Sequence, residues 1–361
     1  MNIKPQGVIT GTGTYIPTRK IPNEHFLKHE FFSKKNVPLN KSNPEILDKF
    51  KSITTIEERR YVTDDLVTSD IAYFAAKDAI IDSGINSETL DYIIVAHNFG
   101  DVKKNNNRSD IVPSLAARVK QNLGIKNPDA VAYDITFGCP GWLQALIQAN
   151  YYIKSGDAQK ILVIGAEVLS RVSDPHDRDS MLYADGAGAI ILENKGNEPN
   201  QRGILAHKTR SDTYNYSHML HMNQSYGESA GDNSELFLKM NGRKLYQYAL
   251  ETVPQSIKSC LDSISLHIDK IKKIFIHQAN GKMDDAILQR LYALYDIKDI
   301  PEFVMPMTVS WLGNSSVATL PTLLDLTLKG KLENHKIETG DTILFASVGA
   351  GMNINALIYK V

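Results

Sequence analysis

The chain has 361 residues, with Lys+Arg 40 against Asp+Glu 41 and a formal net charge of −1, so no whole-molecule field draws it to nucleic acid or to an anionic membrane. Hydrophobic residues at 42% and charged residues at 22% match a globular protein with one large or two medium cores, and exclude a disordered chain. No window approaches the roughly 18 apolar residues of a membrane span.

In chain order, Gly7–Gly13 is the first strand-like run. Pro22–Phe50 follows, rich in Lys, Asn and Phe and without a clear period. Ser69–Ser83 reads as a helix and Tyr92–His97 as a strand, with the continuous apolar stretch IIVA of a strand buried on both faces. Lys103–Arg108, KKNNNR, is expected to be a solvated loop. Ser114–Leu123 is helical, Val131–Asp134 a strand, Pro140–Ser155 a helix, and Lys160–Gly165 and Gly188–Glu193 are strands. Asn194–Gly203 is a polar, turn-rich linker. Beyond it come a strand at Gly203–Thr209, a polar stretch at Tyr214–Asp232 expected on the surface, and a helix at Met240–Leu266. Lys273–His277 is a strand, Gly281–Tyr295 and Ser316–Lys329 are helices, and Thr342–Ser347 and Asn353–Lys360 close the chain as strands. Strands alternating with helices predict an α/β layered fold.

A weak internal repeat refines this expectation. LDYIIVAHN resembles IKKIFIHQAN, with Ile93 and Ile274 181 positions apart. QKILVIGAE resembles DTILFASVGAG, with Leu162 and Leu344 182 apart. Two matches at nearly one offset predict duplicated halves, residues 1–195 and 196–361.

The two cysteines, Cys139 and Cys260, are too few for a disulfide framework, and no CxxC pair suggests zinc. A reducing, cytoplasmic setting is expected. The N-terminal MNIKPQGVITGTGTYIP has neither the apolar core nor the cleavage site of a signal peptide.

Cys139 stands where the run YDITF meets Gly138 and then the helix opened by Pro140, so it occupies the N-terminus of a helix. The helix dipole and free N–H groups there favour a thiolate and a lowered pKa, and a thiolate is a nucleophile toward thioesters. An inert buried thiol fits the same position. Cys260, inside a helical run, reads as core. His277 ends an apolar strand before a Gly-led helix, where α/β folds place their sites. Asn314 precedes a helix that Ser315 or Ser316 is expected to cap. Each residue alone has a structural reading. Together, an imidazole and a carboxamide can grip a thioester oxygen and stabilise an enolate. The Gly-rich turn SVGAGMN, Ser347–Asn353, offers backbone N–H groups for a second oxyanion hole.

The stretches GTGTYIP, TTIEERRYV, the Cys139 elbow, KSGDAQKILVIGAEVLSR, SDPHDRDSMLYADGAGAIIL, IHQAN, GNSS and DTILFASVGAGMN resemble the ketoacyl-ACP synthase III family, from about Gly11 to Val361. The resemblance implies a thiolase-like five-layered α-β-α-β-α fold and a homodimer. It implies Cys139 as acyl acceptor, with His277 and Asn314 supporting decarboxylation and condensation, and the amides of Cys139 and Ala350 as the oxyanion hole. Substrates would be acyl-CoA or acyl-carrier-protein thioesters, with no permanently bound cofactor and no metal. Arg178, in the DPxxR motif, and Lys282, after HQAN, would meet the CoA or carrier protein. Val112 would line an acyl pocket across the dimer, its small side chain admitting a longer or branched chain.

Three departures stand out. The family tryptophan that stacks on adenine has no counterpart, the nearest residue being Lys49. The residue after the nucleophile is Pro140, and Pro22–Phe50 is an insertion. They open an alternative role, a specialised condensation of acyl chains in an alkylresorcinol-like pathway. A Cys-His acyltransferase or hydrolase without condensation is a further alternative, and a non-catalytic thiolase-fold partner the last.

Overall fold

Strands with apolar side chains on both faces need cover on both faces, and the chain supplies it in layers. A computed structural model describes residues 6–196, 202–227 and 235–361. Strands β1 (Gly7–Tyr15), β2 (Tyr92–Ala96), β3 (Val131–Ile135), β4 (Lys160–Val168) and β5 (Asp185–Asn194) form one sheet in the order β1-β5-β4-β2-β3. Strands β6 (Gly203–Ser211), β7 (Ile271–Ile276), β8 (Thr342–Gly349) and β9 (Asn353–Lys360) form a second, in the order β6-β9-β8-β7.

The two sheets repeat one plan. β1 and β4 each lie antiparallel to β5, and β2 lies parallel to β4. β6 and β8 each lie antiparallel to β9, and β7 lies parallel to β8. Even the irregularity recurs: β1 shifts register between Ile9 and Gly11, and β6 between Ile204 and Ala206. The repeated segments of the sequence, β2 with β7 and β4 with β8, hold equivalent places.

The helices are α1 (Asn43–Thr54), α2 (Thr68–Ser83), α3 (Leu115–Asn122), α4 (Gly141–Ser155), α5 (Gly242–Asp262), α6 (Gly281–Ala293) and α7 (Thr319–Leu328). Alternation along β2 sorts its side chains. Ile93 and Val95 join α2 and α3 on the outside, while Ile94 and Ala96 face the middle layer. That middle layer is α4 and α7. Trp142, Leu143 and Leu146 meet Leu320, Leu323 and Leu324, with Ile161 and Val163 of one sheet and Phe275 and Phe345 of the other closing around them. On the far side, α5 and α6 cover the second sheet with Val253, Ile257, Leu261 and Ile287. Cys260 is in this cluster and fully buried, as the sequence implied. The result is the five-layered α-β-α-β-α fold of the thiolase type.

Three segments differ from expectation. Lys103–Arg108 is not an open loop but the tip of a hairpin, Asp101–Lys103 paired with Asn106–Asp110. The aperiodic Pro22–Phe50 is ordered by contacts across the chain. Its Phe26, Phe31, Ile46 and Leu47 pack with Ile21 and Met181. Arg59, fully buried, donates to Ile21 O at 3.0 Å, Met181 O at 3.0 Å and Asn23 Oδ1 at 2.6 Å, and lies 4.9 Å from the Phe26 ring centre. The third segment, Tyr214–Asp232, contains a strand, Leu220–Asn223, paired with Phe237–Met240; residues 228–232 fall outside the described residues. Buried Lys239 fastens this hairpin through an ion pair with Asp174 and a second, 3.1 Å, with Asp177. Among the described residues no helix is long and apolar enough to cross a membrane.

Close approach of the middle layer depends on glycine. A Cβ on Gly188 of β5 would lie 2.7 Å from Thr322 N in α7, and the backbone cannot swing aside. Gly188→Ala is therefore expected to lower stability by about 1–3 kcal/mol, read as a fall in the urea midpoint with an unchanged m-value.

Candidate active site

The site is built where loops of both halves meet above the middle layer. β3 ends at Ile135, and Gly138 takes φ +66, the left-handed region that glycine adopts without cost. Cys139 follows, Pro140 takes the N-cap position, and α4 begins at Gly141. From the other half, the turn after β8 presses onto this elbow. A Cβ on Gly138 would lie 2.6 Å from Ala350 N, and one on Gly349 would lie 2.4 Å from Cys139 N. Only paired glycines allow this contact, and it sets the amides of Cys139 and Ala350 at the same corner.

His277 follows β7 and is tied to β8 by its N–H, which donates to Ala346 O at 2.9 Å. The ring is buried, and Nδ1 has no partner among the described residues. Burial holds its pKa down to about 4, so the imidazole is neutral at physiological pH. Its neighbour Gln278 is structural: Nε2 donates to Pro306 O at 2.7 Å, and Oε1 accepts from Thr308 N at 2.8 Å and Val309 N at 3.0 Å.

Asn314 is locked by its backbone, donating to Leu182 O at 2.9 Å and accepting from Ala184 N at 2.8 Å. Its Oδ1 accepts from Ser316 N at 2.8 Å. The carboxamide thus offers its NH₂ end as the donor. The expected cap by Ser315 or Ser316 does not form; α7 has Ala318 at its N-cap, and the polar groups of the GNSS turn serve the site instead. Cys139, His277, Asn314 and Ala350 all line one cavity of about 1080 Å³.

Residues 133–213 match the profile of the 3-oxoacyl-[acyl-carrier-protein (ACP)] synthase III family, and residues 261–361 match its C-terminal profile. A beta-ketoacyl-[acyl-carrier-protein] synthase III of Staphylococcus aureus is 32% identical over 353 residues, 98% of this chain and 98% of the relative. The chain belongs to the 3-oxoacyl-[acyl-carrier-protein] synthase III family. Two solved members carry its fold. The enzyme of Aquifex aeolicus superposes with a TM-score of 0.78 at 28% identity, covering 98% of this chain and 100% of the other. That of Thermus thermophilus gives 0.79 at 29%, covering 98% of each. The chain is a synthase III-like condensing enzyme, a transferase of the thiolase fold.

Other residues singled out in the sequence divide into two groups. Arg178 is exposed and lines the cavity, as do Lys49, Lys41 and Arg243, which give the mouth a basic rim. The inserted segment and α1 add Phe32, Leu39, Ile46, Phe50 and Ile53 to its wall. The stretch expected to run over the surface also reaches it, through Leu220, Met222 and Tyr226. Lys282 is exposed and follows the lining residues Ala279 and Asn280 in sequence, and is not itself part of the lining. Val112 is 82% exposed and does not line this chain's cavity. No group of three or more His, Cys, Asp or Glu side chains suited to a metal gathers among the described residues.

Cys139 corrects one expectation. Instead of a lowered pKa, burial pushes the Cys139 thiol up to about 11; the Ser316 hydroxyl, 3.4 Å from Sγ, pulls the other way, and the Glu167 charge adds to the rise. Cys139 is half-buried at the cavity wall, and its removal from water favours the thiol over the thiolate. Ser316 and Glu167 were not singled out in the sequence. The available signal for Glu167 was a carboxylate inside the apolar run KILVIGAEV, and for Ser316 its place in GNSS. Because the thiol's pKa is raised, its thiolate fraction climbs through the alkaline range. Alkylation of Cys139 in the free enzyme is expected to speed up about tenfold per pH unit from 7 to 10, read by peptide mass spectrometry. A plateau near neutrality would contradict the assigned protonation state.

Proposed function

We propose that Cys139 accepts an acyl group from a CoA or acyl-carrier-protein thioester, and that the acyl-enzyme then condenses with a malonyl- or β-ketoacyl-thioester. The observation that carries this reading is the opening of the thiol, the neutral His277 ring and the Asn314 carboxamide onto one cavity. In the first half-reaction Sγ attacks the donor carbonyl. Its oxygen becomes negative between the amides of Cys139 and Ala350, which stabilise it. The C–S bond of the donor breaks, and the thiol proton ends on the departing thiol. In the second, a malonyl-thioester loses CO₂. The enolate oxygen accepts hydrogen bonds from the imidazole N–H and the Asn314 NH₂, and the enolate carbon attacks the acyl carbon on Cys139. The bond to Sγ breaks, and the thiolate released takes a proton from solvent.

A neutral imidazole suits this role. A cation would tighten on the malonyl carboxylate and oppose its loss, whereas a neutral donor favours the enolate that forms. The basic rim of Arg178, Lys49, Lys41 and Arg243, with Lys282, would hold the phosphates of CoA or the acidic face of a carrier protein. The reading takes the enzyme to be a cytoplasmic homodimer with halves 1–195 and 196–361. Val112 then lines an acyl pocket of the partner, and no cofactor is permanently bound.

The apolar wall contributed by the inserted segment and α1 favours a second reading within the same chemistry, a specialised condensation of longer acyl chains. Enclosing a longer chain would bury its methylenes at roughly 0.8 kcal/mol each.

Incubation with acyl-CoA and acyl-carrier thioesters, followed by intact-mass measurement, is expected to add the acyl mass to the parent protein and none to Cys139→Ala. His277→Ala and Asn314→Ala are expected to keep that mass addition while malonyl decarboxylation falls about 10²–10³-fold. Acylation that survives in Cys139→Ala would refute the assignment. For the wall, Ile53→Trp is expected to lower kcat/KM for a long-chain donor and leave an acetyl donor unchanged. Equal losses for both would argue against a long-chain site there.

A further inference from the structure

Behind the nucleophile runs a chain of polar groups that the two half-reactions leave unused. Glu167 lies near the end of β4, fully buried. Its Oε2 accepts from the Asn98 backbone N–H at 3.0 Å and from Asn98 Nδ2 at 2.6 Å. The same Nδ2 donates to Ser316 Oγ at 3.2 Å. The Ser316 hydroxyl in turn lies 3.4 Å from Cys139 Sγ. Glu167 Oε1 is buried with no partner among the described residues.

The direction of each bond follows from the chemistry of the groups. A carboxylate only accepts and an amide NH₂ only donates. Both hydrogens of Asn98 Nδ2 are therefore spent, one on Glu167 and one on Ser316. The Ser316 oxygen is an acceptor from Asn98, so its own proton is free to point at sulfur. Ser316 is held in place for this, at φ +54 with its N–H on Asn314 Oδ1. A carboxylate that merely anchored the Asn98 loop needs only the backbone N–H of Asn98, which it also takes. The side-chain arm strengthens that anchor and also reaches past it, to Ser316.

We propose that Glu167 and Asn98 are positioning residues for the nucleophile, directing the Ser316 hydroxyl proton onto Cys139 Sγ so that the thiolate is stabilised when it attacks and again when it leaves. The proposal rests on Cys139 being the acyl acceptor. No bond to Glu167, Asn98 or Ser316 forms or breaks. The charge of Glu167 works against the hydrogen bond it organises, since a carboxylate near sulfur disfavours the thiolate. Burial lifts Glu167 to about 7, which moderates that opposition near neutral pH. The other titratable groups nearby are His97, paired at 3.0 Å with Asp134, and Tyr183 and the neutral His277 along the cavity.

The test is the pH profile of Cys139 alkylation by iodoacetamide on the full chain, read on the Cys139 peptide. Buried Cys260 serves as a control, since it reacts only if the fold opens. Ser316→Ala and Asn98→Ala are each expected to move the profile toward alkali by about one to two pH units, the value of a hydrogen bond to a charged group. The double variant is expected to move it no further than either alone, because both cut one chain. Glu167→Gln keeps an acceptor for Asn98 but loses the charge, so its profile is expected to move toward acid. Should Asn98→Ala expose Cys260, Asn98→Ser replaces it; a single hydroxyl proton can serve Glu167 or Ser316 but not both, and the same alkaline shift is expected. A parent profile in the Asn98 variants, or additive shifts in the double variant, overturns the proposal. The parent enzyme's acylation separates the two failures: without acyl mass on Cys139 the nucleophile itself is wrongly assigned, and with it only the relay is.

Discussion

The constraint on which the molecule depends is the apolar middle layer, in which α4 and α7 are buried between the two sheets. Each helix is apolar on the faces turned to the two sheets, with Trp142, Leu143 and Leu146 on one and Leu320, Leu323 and Leu324 on the other. Neither could be left in water without exposing a large apolar area. Their burial in one layer therefore holds the two sheets against each other. Cys139 stands immediately before α4, and Asn314 and Ser316 immediately before α7. The loops after β7 and β8, bearing His277 and Ala350, belong to the sheet that the same layer supports. Helix packing at the centre thus determines geometry at the rim.

One physical effect then sets the charge state of the whole site. Removal from water disfavours any charged form. It raises the Cys139 thiol, raises the Glu167 carboxyl and lowers the His277 imidazole. All three are driven toward neutrality, although two are acids and one is a base. At neutral pH the thiol and the imidazole carry no charge, and Glu167, at about 7, is only partly ionised. In the proposed mechanism further charge develops during reaction, where backbone amides, the His277 ring and the Asn314 carboxamide would stand ready to receive it. Preorganised donors of this kind need no rearrangement when the negative oxygen develops.

Much of this was legible in the sequence because it rests on local pattern. The buried strands are written as continuous apolar runs, and the duplication as two matches at nearly equal offsets. Cys139 betrays itself by glycine before and proline after, and His277 and Asn314 by their places at helix entrances. What stayed hidden depends on partners distant in sequence. Pro22–Phe50 has no period because its order comes from Arg59 and Met181 rather than from a repeating face. Tyr214–Asp232 looks like a surface loop because the anchor of its hairpin, Lys239 with Asp174 and Asp177, is spread over distant positions. The pKa of Cys139 went the other way from expectation because a helix N-terminus is visible in sequence, while the depth of burial around it is not. Glu167 gave a signal of another kind, an acid in an apolar strand, whose meaning emerges only with Asn98 and Ser316 beside it.

The wall made by the inserted segment and α1 borders the cavity without supplying the thiol, the imidazole or the carboxamide. Its anchorage is separate from the middle layer, resting on its own small cluster and on Arg59. On the proposed reading, substrate choice and bond-making fall to different parts of the chain. Mutations that reshape the insertion can accumulate in a lineage while the chemistry is inherited intact, so this enzyme's range of acyl chains is free to diverge faster than its mechanism.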